Sequence, residues 1–324
     1  MLRYIIRRVL YLIPLFFGIL ILVFVASRLA GDPVKLMTAF NPRITQAAVQ
    51  NLREYYGLDK PLYYQFFLYV WNLLQGNLGN SYQIRGGTAV STLIGDYAWE
   101  TFKLQLAALF FSLLVAIPVG VTSARKQYSK LDVSVTSTSL IGTCIPVFYM
   151  GIVAILIFSY YLGWFPPFGA HTLLAERYPF GSYIVDTLWH MVLPTAVLTF
   201  AEIAPIVLLI RSSMLEILRQ DYILAARAGG LSERTVVYKH ALRNALIPVV
   251  TYVGLYFGIM LAGAPITETV FNWPGVGRLF VEAITKLDFP VIMGITVLIT
   301  LMTLVANLIT DITYGYIDPR IRFE

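Results

Sequence analysis

Residues 221–244 read DYILAARAGGLSERTVVYKHALRN, a polar break rich in small residues between two strongly apolar stretches. Asp221 can cap a helix start, Tyr222 to Ala228 makes about two helical turns, Gly229 and Gly230 can stop that helix, and Ser232 can cap the next. This pattern predicts two short helices meeting at a turn. Ala225, Ala226, Ala228, Gly229 and Gly230 leave the turn almost without bulk, while Arg219, Arg227 and Arg234 surround it with charge. A thin, rigid knuckle of this kind fits a cleft in another protein.

The flanks of the knuckle fix the class of protein. Of 324 residues, 58% are hydrophobic and 13% charged, with a mean hydropathy of +0.71; soluble domains are about 45–50% apolar and about 25% charged. The composition predicts an all-α integral membrane protein. A bilayer core of ~30 Å needs about 20 apolar residues per helix. Six stretches qualify, at 9–29, 103–123, 134–162, 191–212, 245–266 and 290–312. Phe66 to Leu74 is apolar but too short to cross, and reads as a core or interfacial helix. Arg3, Arg7 and Arg8 before the first apolar run have the form of a signal peptide. That run is too long for one, however, and Arg28 spoils a cleavage pattern at Ala30, so a permanent anchor is expected.

Six spans put both termini on one side. The short segments there carry Arg3, Arg7, Arg8, Arg125, Lys126, Lys130, six basic residues from Arg211 to Arg243, and then Arg320 and Arg322; the short loops opposite carry Arg177, Arg278 and Lys286. The bias predicts cytoplasmic termini and a cytoplasmic knuckle. It also accounts for the formal charge of +6 without nucleic acid as a partner. Outside lies a long segment in which NPRITQAAVQNLREYYGLDKPLYYQFFLYVWNLLQG, residues 41–76, has helical spacing punctuated by Gly57 and Pro61, and predicts a small helical cap. The chain thus divides into an N-terminal transmembrane helix (1–30), an extracytoplasmic helical segment (31–96), a membrane core (97–313) with its loop at 211–244, and a cytoplasmic tail (314–324). Trp164, Trp189 and Trp273 near span ends read as headgroup anchors. Cys144, the one cysteine, stands in an apolar stretch and reads as a buried packing residue.

Catalytic signatures are missing from the sequence. Gly never precedes Lys, so the phosphate-cradling G-x-x-x-x-G-K-[ST] loop is absent. His171, His190 and His240 are scattered, without Cys or carboxylate neighbours at metal-ligand spacing, and no nucleophile-elbow pattern occurs. Glu202, in LTFAEIAPIVLLIR, is the clear intramembrane carboxylate. It can line a pathway, or it can bond to a neighbouring helix or lie protonated. Pro118, Pro146, Pro194, Pro205, Pro248 and Pro265 lie in or at the edges of spans, where they can kink helices and free carbonyls.

At the knuckle, Ala225, Ala226 and then Gly230 resemble the coupling motif of ATP-binding-cassette importer permeases. Leu224 stands where that pattern has Glu, and Leu242–Arg243 where it has Leu-Pro. Further segments resemble the dipeptide, oligopeptide and nickel permease family: LRYIIRRVLYLIP at the start, GDP at 31–33, YGLDKPL at 56–62, GNLGNSY at 76–82, RSSMLEILRQDYILAARAGGLSE at 211–233, ETVFNWPGVGRL at 268–279 and YGYIDPRIR at 314–322. The resemblance implies the first of two homologous permease subunits with a type I core, joined to two ATPases that use ATP and Mg and fed by an extracytoplasmic binding protein. It also implies that Tyr222, Ala225, Ala226, Arg227, Gly229, Gly230, Leu231 and Ser232 couple to an ATPase, and that this chain binds no cofactor. The cargo the resemblance implies is a di- or oligopeptide delivered by that binding protein, with oligosaccharides or nickel as the alternative. A secondary carrier without ATPases and a membrane scaffold are the readings from other classes. With few fixed polar groups in the spans, a permissive cavity is expected, selection falling mainly to the binding protein.

Overall fold

The computed structural model describes residues 2–317 apart from 30, 32–33, 35–44, 56 and 174–178. Asp32 and Pro33 of the GDP segment, Tyr56, Arg177 and the tail from 318 onward, with Arg320 and Arg322, lie outside the described residues. In chain order the helices are α1 (Leu2–Leu29), α2 (Gln46–Tyr55), α3 (Leu62–Leu74), α4 (Val90–Arg125), α5 (Lys130–Cys144) and α6 (Val147–Ala154, prolonged in π geometry over Ile155–Tyr161). There follow α7 (Phe180–Ile217), α8 (Asp221–Ala228), α9 (Glu233–Thr235, a π-helical Val236–Ala241, then Leu242–Ala245), α10 (Ile247–Met260), α11 (Pro265–Val270), α12 (Val276–Thr285) and α13 (Phe289–Ile317).

Among the described residues four helices are unbroken and apolar enough to cross a bilayer: Ile6–Leu29, Val90–Arg125, Gly181–Ile217 and Phe289–Ile309. Two bent pairs, α5 with α6 and α9 with α10, raise the number to six when each pair is taken as one span. The all-helical membrane class stands, and the third stretch expected at 134–162 is divided between two helices. The chain bends by 96° between α5 and α6. Pro146 forces Ile145 out of the helical region, to φ −80 and ψ 122. The residues just before it, Gly142, Thr143 and Cys144, are weak helix formers, and the Thr143 hydroxyl donates back to the Leu140 carbonyl at 2.7 Å. Pro118, Pro194 and Pro205 lie inside unbroken helices instead. The fifth stretch is also corrected: α10 ends at Met260, and beyond it Pro265 opens the separate helix α11.

The chain forms two compact units. The first comprises Met1–Glu100, Leu261–Pro265 and Gly275–Glu324. Here α1 packs along α13, and α12 against α13. Val90, Leu93 and Ile94 from the start of α4 close a core with Val276, Leu279, Ala283, Val291 and Ile295. Gly294 makes the contact possible, since a Cβ there would lie 2.6 Å from Val90 Cγ1. Gly294→Ala is expected to lower stability by about 1–3 kcal/mol through overpacking. Adding Val90→Ala should restore most of it, read as the unfolding midpoint of the purified chain. Of the segment predicted as a helical cap, the described residues form α2 and α3, with Gly57 at φ +62 and Pro61 just ahead of α3, while 41–44 lie outside the described residues. A fully buried Asp288 ties the loop at 81–84 to the start of α13: its Oδ2 accepts from the Ser81 hydroxyl at 2.6 Å and from the amides of Tyr82, Gln83 and Ile84 at 3.0, 2.9 and 3.2 Å.

The second unit comprises Thr101–Met260 and Ile266–Pro274. Helices α5, α6, α9 and α10 all pack on α7. In lipid, apolar contact between helices brings little hydrophobic gain, so close packing and polar contacts have to hold them. Asp132 of α5, 2% exposed, accepts from the Ser123 hydroxyl and the Tyr128 amide, and from Arg211 of α7 through Nε at 2.6 Å and Nη2 at 2.8 Å. Arg211 is therefore part of a helix and ion-paired, rather than a loop charge of the knuckle. Trp273 is fully buried, and so is no headgroup anchor. Asn272 takes φ +51 after α11, and the Trp273 amide donates to the Glu268 carbonyl at 2.8 Å, turning the chain inward. Trp164 and Trp189 are half exposed. Cys144 is exposed rather than buried, at the last residue of α5 where the chain bends.

Candidate functional site

The knuckle is built locally. Helix α7 ends as the Leu218 and Gln220 amides donate to the Met214 and Ile217 carbonyls, and Gln220 then extends at φ −73 and ψ 147. Gln220 is thus the residue flanking α8, and Asp221 falls one place later than expected, inside the first turn. No side chain caps this end, though the Asp221 carboxylate still favours it through the helix dipole. At the other end the Gly230 amide donates to the Arg227 carbonyl at 3.0 Å, the Leu231 amide to the Ala226 carbonyl at 3.3 Å, and Gly230 takes φ +80. These two bonds and the left-handed residue are a Schellman motif, which strongly favours glycine at that position. Ser232 then caps α9, its hydroxyl accepting from the Thr235 amide.

Three contacts fix the two helices to each other. Ile223 is fully buried in a cluster with Met214, Val236 and Val237. The Asn244 amide donates to the Tyr222 hydroxyl at 2.7 Å. Arg227 makes a two-pronged pair with Glu233, at 2.9 and 3.2 Å. That pair is exposed and contributes roughly 0–1 kcal/mol; the buried Ile223, worth about 1.5–3 kcal/mol, is the stronger anchor. The rest of the knuckle faces outward. Ala225, Gly229, Gly230 and Ser232 are exposed, and Tyr222, Leu224, Leu231 and Tyr238 expose 43, 52, 44 and 45% of their surface. A polar loop that presents four apolar side chains around a turn with little bulk has the form of a docking surface.

Glu202 lies elsewhere, midway along α7, and the structure does not bring it to the knuckle. Its Oε2 accepts from the Tyr252 hydroxyl of α10 at 2.5 Å. Beside it Tyr256, 6.3 Å from Tyr252 between ring centroids, donates to Gln105 of α4 at 2.6 Å. Glu202 therefore bridges helices, with its side chain half-buried. The sequence reading missed Asp132, Glu268 and Asp288, the buried carboxylates of 2, 0 and 0% exposure. None stands in a long apolar run, so hydropathy could not flag them; Glu268, which accepts from the Thr101 hydroxyl at 3.0 Å, lay inside a quoted segment. Among the described residues no group of His, Cys, Asp and Glu has the geometry to hold a metal ion.

Comparison with known proteins gives this geometry its setting. Residues 116–323 match the family model described as binding-protein-dependent transport system inner membrane component. The chain is 44% identical over 324 residues to the oligopeptide transport system permease protein AppB of Bacillus subtilis (strain 168), with all of both chains covered. It is similarly 42% identical to the di/tripeptide transport system permease protein DppB of Pseudomonas aeruginosa (strain UCBPP-PA14), and 38% identical to the dipeptide transport system permease protein DppB of Escherichia coli (strain K12). Each of those alignments spans 341 residues and covers both chains in full. The chain belongs to the family of binding-protein-dependent transport system inner membrane components. It is a multi-pass permease component of an ATP-binding-cassette system served by a binding protein, and a transport subunit rather than an enzyme.

Proposed function

We propose that the chain is the first permease subunit of an importer for di- or oligopeptides, forming half of the pathway with a homologous second permease. Two ATPase subunits, which use ATP and Mg, grip the knuckle and its counterpart, and an extracytoplasmic binding protein delivers the cargo. The observation that carries this reading is the Schellman turn at Gly230, with Leu224 and Leu231 exposed beside it, in a chain that aligns end to end with permeases named for peptide transport. ATP closes the ATPases, the paired knuckles approach, the spans rock outward and cargo enters; hydrolysis resets the inward state. The test is uptake by the purified complex in proteoliposomes with its binding protein, supplied in parallel with labelled dipeptides, tetrapeptides, maltooligosaccharides and nickel. Peptide uptake dependent on ATP is expected, and uptake of sugar or nickel alone would contradict the assignment.

In this reading the termini and the knuckle face the cytoplasm, as the distribution of arginine and lysine requires. With exposed Cys144 replaced, single cysteines at Leu231 and Lys126 should resist an impermeant thiol reagent in intact cells, while those at Arg53 and Thr172 react. Equal labelling at Leu231 and Arg53 would reverse the orientation.

Glu202 is proposed as a pathway residue that also bridges α7 and α10. Two variants separate the roles. Glu202→Gln keeps an amide oxygen to accept from Tyr252 and removes only the charge, whereas Tyr252→Phe removes the bond and keeps the carboxylate. The expected result is normal assembly with reduced uptake of cationic relative to neutral peptides for Glu202→Gln, and a lowered unfolding midpoint for Tyr252→Phe. Equal uptake of matched charged and neutral peptides by Glu202→Gln would remove Glu202 from the pathway.

A further inference from the structure

Between α4, which ends at Arg125, and α5, which starts at Lys130, the chain turns through Lys126, Gln127, Tyr128 and Ser129. Tyr128 takes φ +62. This is the left-handed region, which suits glycine and asparagine and is an outlier for a bulky residue. The conformation is held by its neighbours: the Tyr128 amide donates to Asp132 at 2.9 Å, and Asp132 is itself fixed by Ser123 and by two bonds from Arg211 of α7. Ser129 then caps α5 by accepting from the Asp132 amide. All of these bonds come from the backbone or from other side chains, so glycine at 128 would serve the turn better. The tyrosine ring adds little to it, being 80% exposed.

Strain kept at an exposed aromatic residue points to a use outside the chain, and the surroundings of the ring say which. Arg125, Lys126 and Lys130 are exposed on the same turn. The guanidinium of Arg219, also exposed and just ahead of the residue that flanks α8, reaches the Gln127 side-chain oxygen at 3.5 Å. The Glu233 carboxylate of α9 is held below its usual range by Arg227 and, to a smaller degree, by Arg125. The turn therefore stands beside both flanks of the knuckle, all within the second unit, and the exposed surface of Leu224 and Leu231 runs on to Tyr128. Tyrosine is a common energetic centre of protein interfaces, and surrounding charge selects the partner by sign. A tyrosine set among Arg125, Lys126, Lys130 and Arg219 fits an apolar pocket with an acidic rim.

We infer that the turn at 126–129 is a second contact for the ATPase subunit that grips the knuckle, with the Tyr128 ring seated in an acidic-rimmed pocket of that subunit. The inference rests on the import reading above. Two points of attachment, one on α8 and one on the turn clamped to α7 by Asp132 and Arg211, make a movement of the ATPase turn α7 as a lever instead of pulling on a single loop. The test compares Tyr128→Gly and Tyr128→Phe in the assembled complex with its binding protein. Glycine relieves the strain, so the unfolding midpoint of the purified full-length chain should stay level or rise, while uptake and cargo-stimulated ATP hydrolysis fall at least about fivefold. Tyr128→Phe should keep both activities. Native uptake by Tyr128→Gly, or a lowered midpoint that tracks the lost uptake, would overturn the inference. A photoreactive phenylalanine derivative at 128 should in addition form an adduct with an ATPase subunit; an adduct with phospholipid alone would make Tyr128 a headgroup anchor and overturn it. The same probe at Leu231 separates the two possible failures. ATPase adducts from Leu231 and none from 128 would refute the second contact alone, and none from either would refute the import reading with it.

Discussion

Gly230→Val is expected to abolish uptake while leaving the chain inserted in the membrane. Gly230 sits at φ +80, with nothing within 4 Å of where a Cβ would stand, so the substitution meets no atom of this chain. Its cost is in the backbone. A residue with a Cβ in the left-handed region loses about 1–2 kcal/mol, more for a β-branched one, and the turn relaxes by opening the bonds from Gly230 to Arg227 and from Leu231 to Ala226. The two short helices then change their angle, and the exposed Leu224 and Leu231 no longer present one surface. Because the spans are untouched, insertion and expression stay normal, and uptake falls by more than about tenfold, which corresponds to ~1.4 kcal/mol of lost coupling. Gly230→Asn is the control, since asparagine tolerates this conformation at a helix end, and it should keep most of the activity. Normal cargo-stimulated ATP hydrolysis and uptake in Gly230→Val would refute the role of the turn.

The second large effect is expected at the buried ion pair. Asp132 receives two bonds from Arg211, one from the Ser123 hydroxyl and one from the Tyr128 amide. Asp132→Ala leaves the guanidinium, itself only 21% exposed, without its carboxylate, and frees the backbone at Tyr128, which holds φ +62. Breaking one side of such a pair costs about 3–5 kcal/mol, whereas replacing both sides by apolar groups is often close to neutral. Asp132→Ala should therefore lower the unfolding midpoint strongly, and Asp132→Leu with Arg211→Met should recover most of the loss. A double variant as unstable as the sum of the two single ones would show that the pair is not coupled.

What the sequence could and could not disclose follows from the range of the interactions. The knuckle was legible because its determinants are local: a left-handed glycine, a serine cap and small residues within twelve positions. Its boundary slipped by one residue, from Asp221 to Gln220, because the cap is a backbone turn without a side-chain signature. The apolar stretches were legible because a bilayer requires a fixed length of apolar helix. Which proline breaks a span was not, since Pro118, Pro194 and Pro205 sit in unbroken helices and Pro146 does not; the difference lies in the weak helix formers ahead of Pro146. Asp132 and Arg211 are 79 positions apart, and Ser81 and Asp288 are 207 apart. Nothing in either neighbourhood names its partner. Trp273 misled for a related reason, because proximity to a span end does not disclose that the chain turns inward after α11. The π geometry over Val236–Ala241, within the second helix of the knuckle, also had no signal in the apolar pattern.

The central claim, that the exposed turn of the knuckle is where the ATPases act on this chain, is tested most directly by site-specific photo-cross-linking. A photoreactive residue at Leu224 or Leu231, both close to half exposed, in the assembled complex with its binding protein should give an adduct with an ATPase subunit whose yield changes on adding ATP, while the same probe at Tyr63 on α3, 77% exposed, gives none. Adducts from Leu224 and Leu231 to the binding protein, or to no ATPase in a complex that still transports, would contradict the account.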